Sequence, residues 1–295
     1  MPLSINTNHA ALAAQRAVAN SQTDAATTTE RLATGLRINS AKDDASGLAV
    51  VSRLTSQIDG LSQASRNASD AVSMLQTAEG GLQSMTENLQ RMRELAIQAA
   101  TDSISDTERG YLNLEYRQLI DEIDRLAEAT KFGDVQILNG GGQPGAAKSF
   151  EFQIGQGTTD LDSLRFFVSD MNKDELGQGT LADGTDDPAR PAISGTFISS
   201  RFLTDLAIES IDRALETVLS ERAAMGSYQV RFQQVIDNNL VATEHAQAAR
   251  GRIADADFAA ESTKLAKAQV LQQSGIAMLG QANAMPQQVL ALINN

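Results

Sequence analysis

At 295 residues the chain can bury a sizeable core without disulfides or metal staples, and the lack of any cysteine excludes thiolate nucleophiles, Fe–S clusters and cysteine zinc sites. Its 24 lysines and arginines face 37 acids, and the net charge of −13 argues against a nucleic-acid partner or an anionic membrane surface. Aromatic residues are only 4% and tryptophan is absent, while Ala, Leu, Gln, Ser and Thr dominate, the composition of long helices packed at close spacing.

The opening MPLSINTNHAALAAQRAVAN lacks the basic start and unbroken apolar run of a secretory signal, and no stretch approaches ~18 apolar residues. Neither a cleaved signal nor a membrane span is expected, so export would need a route that reads no such signal. Residues 3–36 are rich in Ala, Gln, Asn and Ser. From there Leu54, Leu61, Ala68, Leu75, Leu82, Leu89 and Ala96 recur every seven residues, a heptad seam. A second row, Ile58 and Val72 and then Met85, Met92 and Ala99, changes side around Gly80 and Gly81. This predicts one long helix bent at the glycines and in need of a partner along its length.

Ser105 and Glu108 have capping-box spacing, and Leu112, Tyr116, Leu119, Ile123 and Leu126 follow at steps of four and three, predicting a second helix. Residues 131–200 differ in character. They hold Gly140 to Gly142, Asp183-Gly184 and three of the five prolines, and their fragments SFEFQIG and SLRFFVSDM predict hairpins and loops. A third long helix spans 204–250, with Ile208, Ile211, Leu215, Val218, Met225, Phe232 and Ile236 on one face and Arg222 and Gln229 interrupting it as register-fixing polar residues.

Residues 255–295 resemble the first segment in composition and place Leu265, Ala268, Leu271, Gly275, Met278, Ala282, Met285, Val289 and Leu292 at steps of three or four, a wide apolar face that Pro286 is expected to kink or end. Such a face needs burial to fold. An antiparallel return, with the two ends paired, covers part of it, and self-association covers the remainder.

Motifs for chemistry are weak. His9 and His245 stand in no metal-ligand spacing. Gly140, Gly142 and Gly145 match GxGxxG in letters only, because Pro144 and a strand follow where a helix should start. Asp170, Asn172 and Asp174 copy the start of a calcium loop, but Glu175 replaces its glycine and Leu181 its bidentate glutamate. Lys42-Asp43-Asp44 reads as a turn or helix start rather than a carboxylate pair for acid–base work. The sequon Asn67-Ala68-Ser69 lies inside the predicted heptad helix. Neither an enzyme nor a cofactor is expected.

Two blocks, ERLATGLRINSAKDDASGLAV (30–50) and LAKAQVLQQSGIAMLGQANAMPQQVLALI (265–293), resemble the N- and C-terminal signatures of bacterial flagellin. The resemblance continues through QRMRELAIQAA, EIDRLAEATKFGDVQILNG and FEFQIG, in order, over essentially the whole chain. The usual FNG after the second helix is replaced by Phe132-Gly133-Asp134. The family implies a mainly α fold: a long antiparallel helical bundle or coiled-coil rod with a small β-hairpin region. Residues 1–45 and 255–295 would pair as a discontinuous core domain, and 46–254 would form the rod with hairpins and loops at about 131–200.

The function so implied is a structural subunit, exported by the flagellar type III apparatus, that polymerises with itself into the extracellular flagellar filament. The polymerisation face would be Leu265, Ala268, Leu271, Met278, Met285, Val289 and Leu292. Cap and junction proteins and an export chaperone on the C-terminal segment are the further partners implied, with no nucleic acid or membrane. Arg91, Leu95 and Glu115 match the motif by which the host Toll-like receptor for flagellin recognises the family. Read from the residues alone, Arg91 and Glu115 are solvated rod charges and Leu95 is packing. The rival readings are a hook–filament junction protein, a type III secreted tip or coiled-coil protein, and an enzyme carried on an insert, for which the middle segment is too short.

Overall fold

The computed structural model describes residues 8–140, 147–178 and 190–293, with side chains described as far as residue 284. The elements in chain order are α1 (His9–Thr34), α2 (Ala45–Ala99), α3 (Asp106–Ala129), β1 (Lys131–Phe132), β2 (Val135–Gln136), β3 (Lys148–Gln153), β4 (Ser163–Val168), α4 (Arg201–Ala254) and α5 (Phe258–Ile293). The protein is mainly α, with two small antiparallel hairpins. Contacts divide it into two compact units, Met1–Ile58 with Glu244–Asn295, and Asp59–Thr243.

In the terminal unit α1 starts at Asn8, whose side chain accepts from Ala11 N, and stops at Gly35, where φ of 71° suits a residue without Cβ. Its partner is α5, antiparallel: Asn8 Nδ2 donates to Ala282 O at one end, and Arg31 faces Glu261 at the other. A two-residue backbone bridge joins Leu36 to Asp255, flanked by Arg37 N to Ala254 O (2.6 Å) and Ala256 N to Gly35 O (2.9 Å). In the following turn Asp43 accepts from Ser40 N and Oγ, and Asp44 accepts from Ser46 Oγ and Gly47 N at the start of α2. These bonds hold both carboxyls below their usual range and commit them to turn and helix-start geometry. Pro286 does not end α5, which continues to Ile293; proline removes one backbone donor, a loss the flanking helical bonds can bridge.

In the second unit α2 carries the predicted row Leu61, Ala68, Leu75, Leu82, Leu89 and Ala96 into the core. The second row differs from the expectation. It runs without a change of side as Ala64, Ala71, Ala78, Met85, Met92 and Ala99, all buried, while Val72 is only partly buried at its edge. Nor do the glycines interrupt α2. A Cβ at Gly81 would lie 2.6 Å from Thr130 Oγ1 and 2.9 Å from Leu138 Cδ1, so Gly81 lets the chain after α3 approach, whereas Gly80 faces open space. Gly80→Ala is therefore expected to stabilise the protein by about 0.5–1 kcal/mol. Gly81→Ala should destabilise it by about 1–3 kcal/mol, since Thr130 is tied to Leu126 O. Chemical denaturation of the two variants side by side tests the contrast.

α4 runs antiparallel to α2. Arg93 binds Asp212 (2.7 Å), and Gln229 donates to Glu79 (3.0 Å), with Arg222 4.0 Å from the same carboxylate. The two polar interruptions predicted on α4 thus converge on one acid of α2. α3 opens with the predicted capping box between Ser105 and Glu108 and packs through Tyr116, Ile120, Ile123 and Ala127. The hairpin β3–β4 pairs Phe150 with Phe166, and its inner face stacks Phe150, Phe152 and Phe166 against Tyr228 and Phe232 of α4. Much of the scarce aromatic content is spent on this one clasp, where rings bury the most area per residue.

Tyr116 bonds Thr196 at 2.7 Å, and because Thr196 donates to Ile193 O, the phenol is the donor. Burial pushes Tyr116 up to about 12, against the weaker opposing pull of Thr196 and then Arg117. Below its ordinary value of 10.0 the phenol is neutral in both states; above it the unfolded chain ionises first, so stability falls as pH rises toward about 12. Tyr116→Phe should cost about 1 kcal/mol at neutral pH and should lose that alkaline slope. Urea titrations at neutral and alkaline pH test both halves.

Candidate assembly surface

The terminal pair is built from small residues. On α5, Glu261, Ala268 and Ala282 are buried and Gly275 is half-buried at the same seven-residue spacing, with Leu265 half-buried beside them. They meet Ala11, Ala14, Val18, Ser21, Ala25, Thr28 and Leu32 of α1, which are buried or half-buried at alternating steps of three and four. A Cβ at Gly275 would lie 2.6 Å from Val18 Cγ2, so glycine there sets how closely the helices approach. The buried hydroxyls are satisfied within α1, Ser21 bonding Ala17 O and Thr28 bonding Asp24 O.

This narrow seam uses only one side of α5. Val270, Leu271, Ile276 and Met278 are exposed, Met278 to 63%, and so is Leu12 on α1. Of the seven residues expected on one polymerisation face, Ala268 and Leu265 therefore turn toward α1, while Leu271, at the edge of a cleft it shares with α1, and Met278 stay exposed. Met285, Val289 and Leu292 lie outside the described side chains. A helix apolar on several sides is one that an assembly buries. Charge agrees with this. The terminal unit holds nine of the 24 basic residues and eight of the 37 acids, so the acidic surplus lies wholly in Asp59–Thr243 and opposes no close stacking of the ends.

One charged pair sits in the seam. Glu261 is 4% exposed, its Oε1 takes Lys264 at 2.7 Å and lies 3.6 Å from Arg31 Nη1, and Glu261 Oε2 and Arg31 Nε are buried without partners. The composition and stripe readings missed this pair, although extending the spacing of Ala282, Gly275 and Ala268 back by seven lands on Glu261. A cleft of about 500 Å³ beside it is lined by Asp24, Arg31, Lys264 and Lys267 among others.

The three residues matched to receptor recognition lie in the second unit. Arg91 reaches Glu115 at 2.8 Å and Glu94 at 3.0 Å, and these acids, Glu115 first, hold the guanidinium more firmly protonated. Arg91 and Glu115 are half in solvent, but Leu95 is 1% exposed and belongs to the core. The sequon residue Asn67 is likewise engaged, donating to Gln153 O of the hairpin at 2.9 Å. Asp170 is occupied by Asn172 N and Nδ2, and Asn172 in turn accepts from Asp174 N and Glu175 N, an Asx turn where the calcium-like letters stood. Leu181, Gly142, Pro144, Gly145 and Asp183-Gly184 lie outside the described residues. Among the described residues no helix is long and apolar enough to cross a membrane.

Long antiparallel helices, paired chain ends with uncovered apolar sides, and a hairpin clasped on the second unit define a helical subunit of the self-assembling class. The bacterial flagellin N-terminal helical region matches residues 5–142, and the bacterial flagellin C-terminal helical region matches 208–293. The flagellar filament 33 kDa core protein of Treponema phagedenis is 38% identical over 299 residues, covering 98% of this chain and 99% of that one. Flagellin A of Vibrio cholerae is 34% identical, covering 99% and 100%. A flagellar hook-associated protein structure from Vibrio parahaemolyticus shares the fold, with a TM-score of 0.57 at 14% identity, covering 72% of this chain and all of that one. The chain belongs to the bacterial flagellin family.

Proposed function

We infer that the chain is a structural subunit that polymerises with copies of itself into the bacterial flagellar filament, outside the cell. The observation that carries this is α5, apolar on several sides yet covered by α1 on only one. A contact between unlike surfaces that does not close on itself generates a helical polymer, and neighbouring copies supply the missing cover. Residues 1–45 with 255–295 are the assembly core in this reading, and 46–254 the rod that stiffens each subunit. The role is mechanical rather than catalytic.

Export by the type III apparatus, a chaperone on the C-terminal segment, and cap and junction proteins at the ends of the filament complete the reading, because an uncovered α5 needs protection until it meets its neighbours. Recognition by a host Toll-like receptor would rest on Arg91 and Glu115, since Leu95 offers no surface. Abundance distinguishes filament from junction. Quantitative mass spectrometry of filaments sheared from cells is expected to find this chain as a bulk component, in large excess over hook proteins; a few copies per filament would make it a junction protein.

A further inference from the structure

We propose that Arg31 and Glu261 set the register of the terminal helix pair, and so select one subunit conformation from several that the seam would otherwise accept. The seam discriminates register at one point, where Gly275 admits Val18 Cγ2 at a distance that no Cβ allows, and elsewhere it repeats. Ala268, Gly275 and Ala282 recur every seven residues on α5 and Ala11, Val18 and Ala25 at the same period on α1, so a slip of one heptad, about 10 Å along the axis, costs the seam only the shift of Val18 against Ala268 or Ala282. Ser21 and Thr28 bond their own helix and carry no information across the seam.

Glu261 breaks the repeat. It is the one buried charged side chain among the described residues of the terminal unit, and Arg31 is the cation facing it from α1. Any slipped register moves Arg31 away and leaves the buried Glu261 carboxylate only the exposed Lys264 of its own helix, a penalty for a buried charge that loses its partner across the seam. In the observed register the pair is held loosely, and Arg31 Nε and Glu261 Oε2, both unpartnered, are the atoms a small rotation would join into a two-bond fork. The bridge at Leu36 and Asp255 is the rival device, since it ties the same two segments beyond the helix ends.

The cysteine-free chain allows a direct test in polymerised full-length protein. A Cβ at Gly275 would lie 3.8 Å from Val18 Cβ, within disulfide range, so V18C/G275C reports the native register, and V18C/A268C and V18C/A282C report slips of one heptad. Intramolecular bridges are read as monomer-mass species on a gel. With Arg31 and Glu261 in place only V18C/G275C should close. In the R31L/E261L background the slipped reporters should close as well, and the swapped pair R31E/E261R should restore the native reporter alone.

Exclusive closure of V18C/G275C in R31L/E261L would overturn the proposal and assign register to the backbone bridge. Variants that do not polymerise alone are tagged and mixed as a minority into wild-type subunits on wild-type seeds. Exclusion of R31L/E261L from those filaments with re-entry of R31E/E261R supports the proposal, and exclusion of both overturns it. The experiment rests on self-polymerisation as its setting, and failure of the unmodified chain to polymerise would instead count against the proposed function.

Discussion

Removal of residues 256–295 is expected to abolish filament formation completely while leaving Asp59–Thr243 folded. The deletion takes all of α5, and with it the described cover of the α1 seam and the exposed Val270, Leu271, Ile276 and Met278 that neighbouring copies would bury. An α1 left alone is a single helix of 26 residues whose buried side has lost its partner, of the kind that depends on tertiary burial to persist in water. The second unit has its own core, from Leu75 and Leu89 through Ile123 to Phe166 and Phe232, and needs nothing from the deleted segment. Sedimentation should show no polymer, and circular dichroism should show a cooperative, still helical monomer. Normal filaments from the truncated chain would contradict the assignment of assembly to the ends.

The second large effect is expected at Leu89→Asp. Leu89 is fully buried in the α2 row that also holds Leu82 and Ala96. Its loss alone, as in Leu89→Ala, should cost about 2–5 kcal/mol through lost transfer energy and an unfilled cavity. A carboxylate in the same place adds the cost of a buried charge without a partner, about 3–5 kcal/mol where such pairs have been broken elsewhere. That is comparable with the whole stability of an ordinary domain, so the variant should be largely unfolded at ambient temperature. Leu219, half exposed on α4, is the control: Leu219→Asp should shift the midpoint little. Thermal denaturation followed at the helix signal checks both, and equal midpoints for Leu89→Asp and the unmodified chain would show that the seam is not the core.

What the sequence revealed of the fold followed the strength of each local signal. Leucines at seven-residue spacing, the Ser105–Glu108 box and the alternating aromatic runs of β3 and β4 are large signals with one interpretation each. The second row of α2 was misread because Ala64, Ala71 and Ala78 contribute little apolar weight, and the bulkier Val72 drew the pattern aside. Gly81 carries a helix-breaking propensity that its environment overrides, since the reason for the glycine is Thr130 and Leu138, some fifty residues later. Leu95 shares a letter with a recognition motif and a position with the core, and only burial separates the two.

The assembly surface was less legible than the fold for a related reason. A wide apolar stripe on α5 announces that burial is needed, but it does not say which part α1 covers. Small residues decide that, because Gly275 admits Val18 at close range and Ala268 is buried in the seam, while the larger Leu271 and Met278 stay exposed. Glu261 was hidden for the opposite cause: a charged residue in a helix reads as solvated until its heptad position is traced from the far end.

The central claim is that uncovered chain ends drive polymerisation, and seeded growth tests it most directly. Purified subunits are added to short filament fragments and imaged by negative-stain electron microscopy, with circular dichroism recorded on the same mixture. Uniform long tubes accompanied by a gain in helicity are the predicted result, because the ends gain cover only as neighbours arrive. Discrete particles with unchanged helicity, under conditions where the seeds persist, would contradict it.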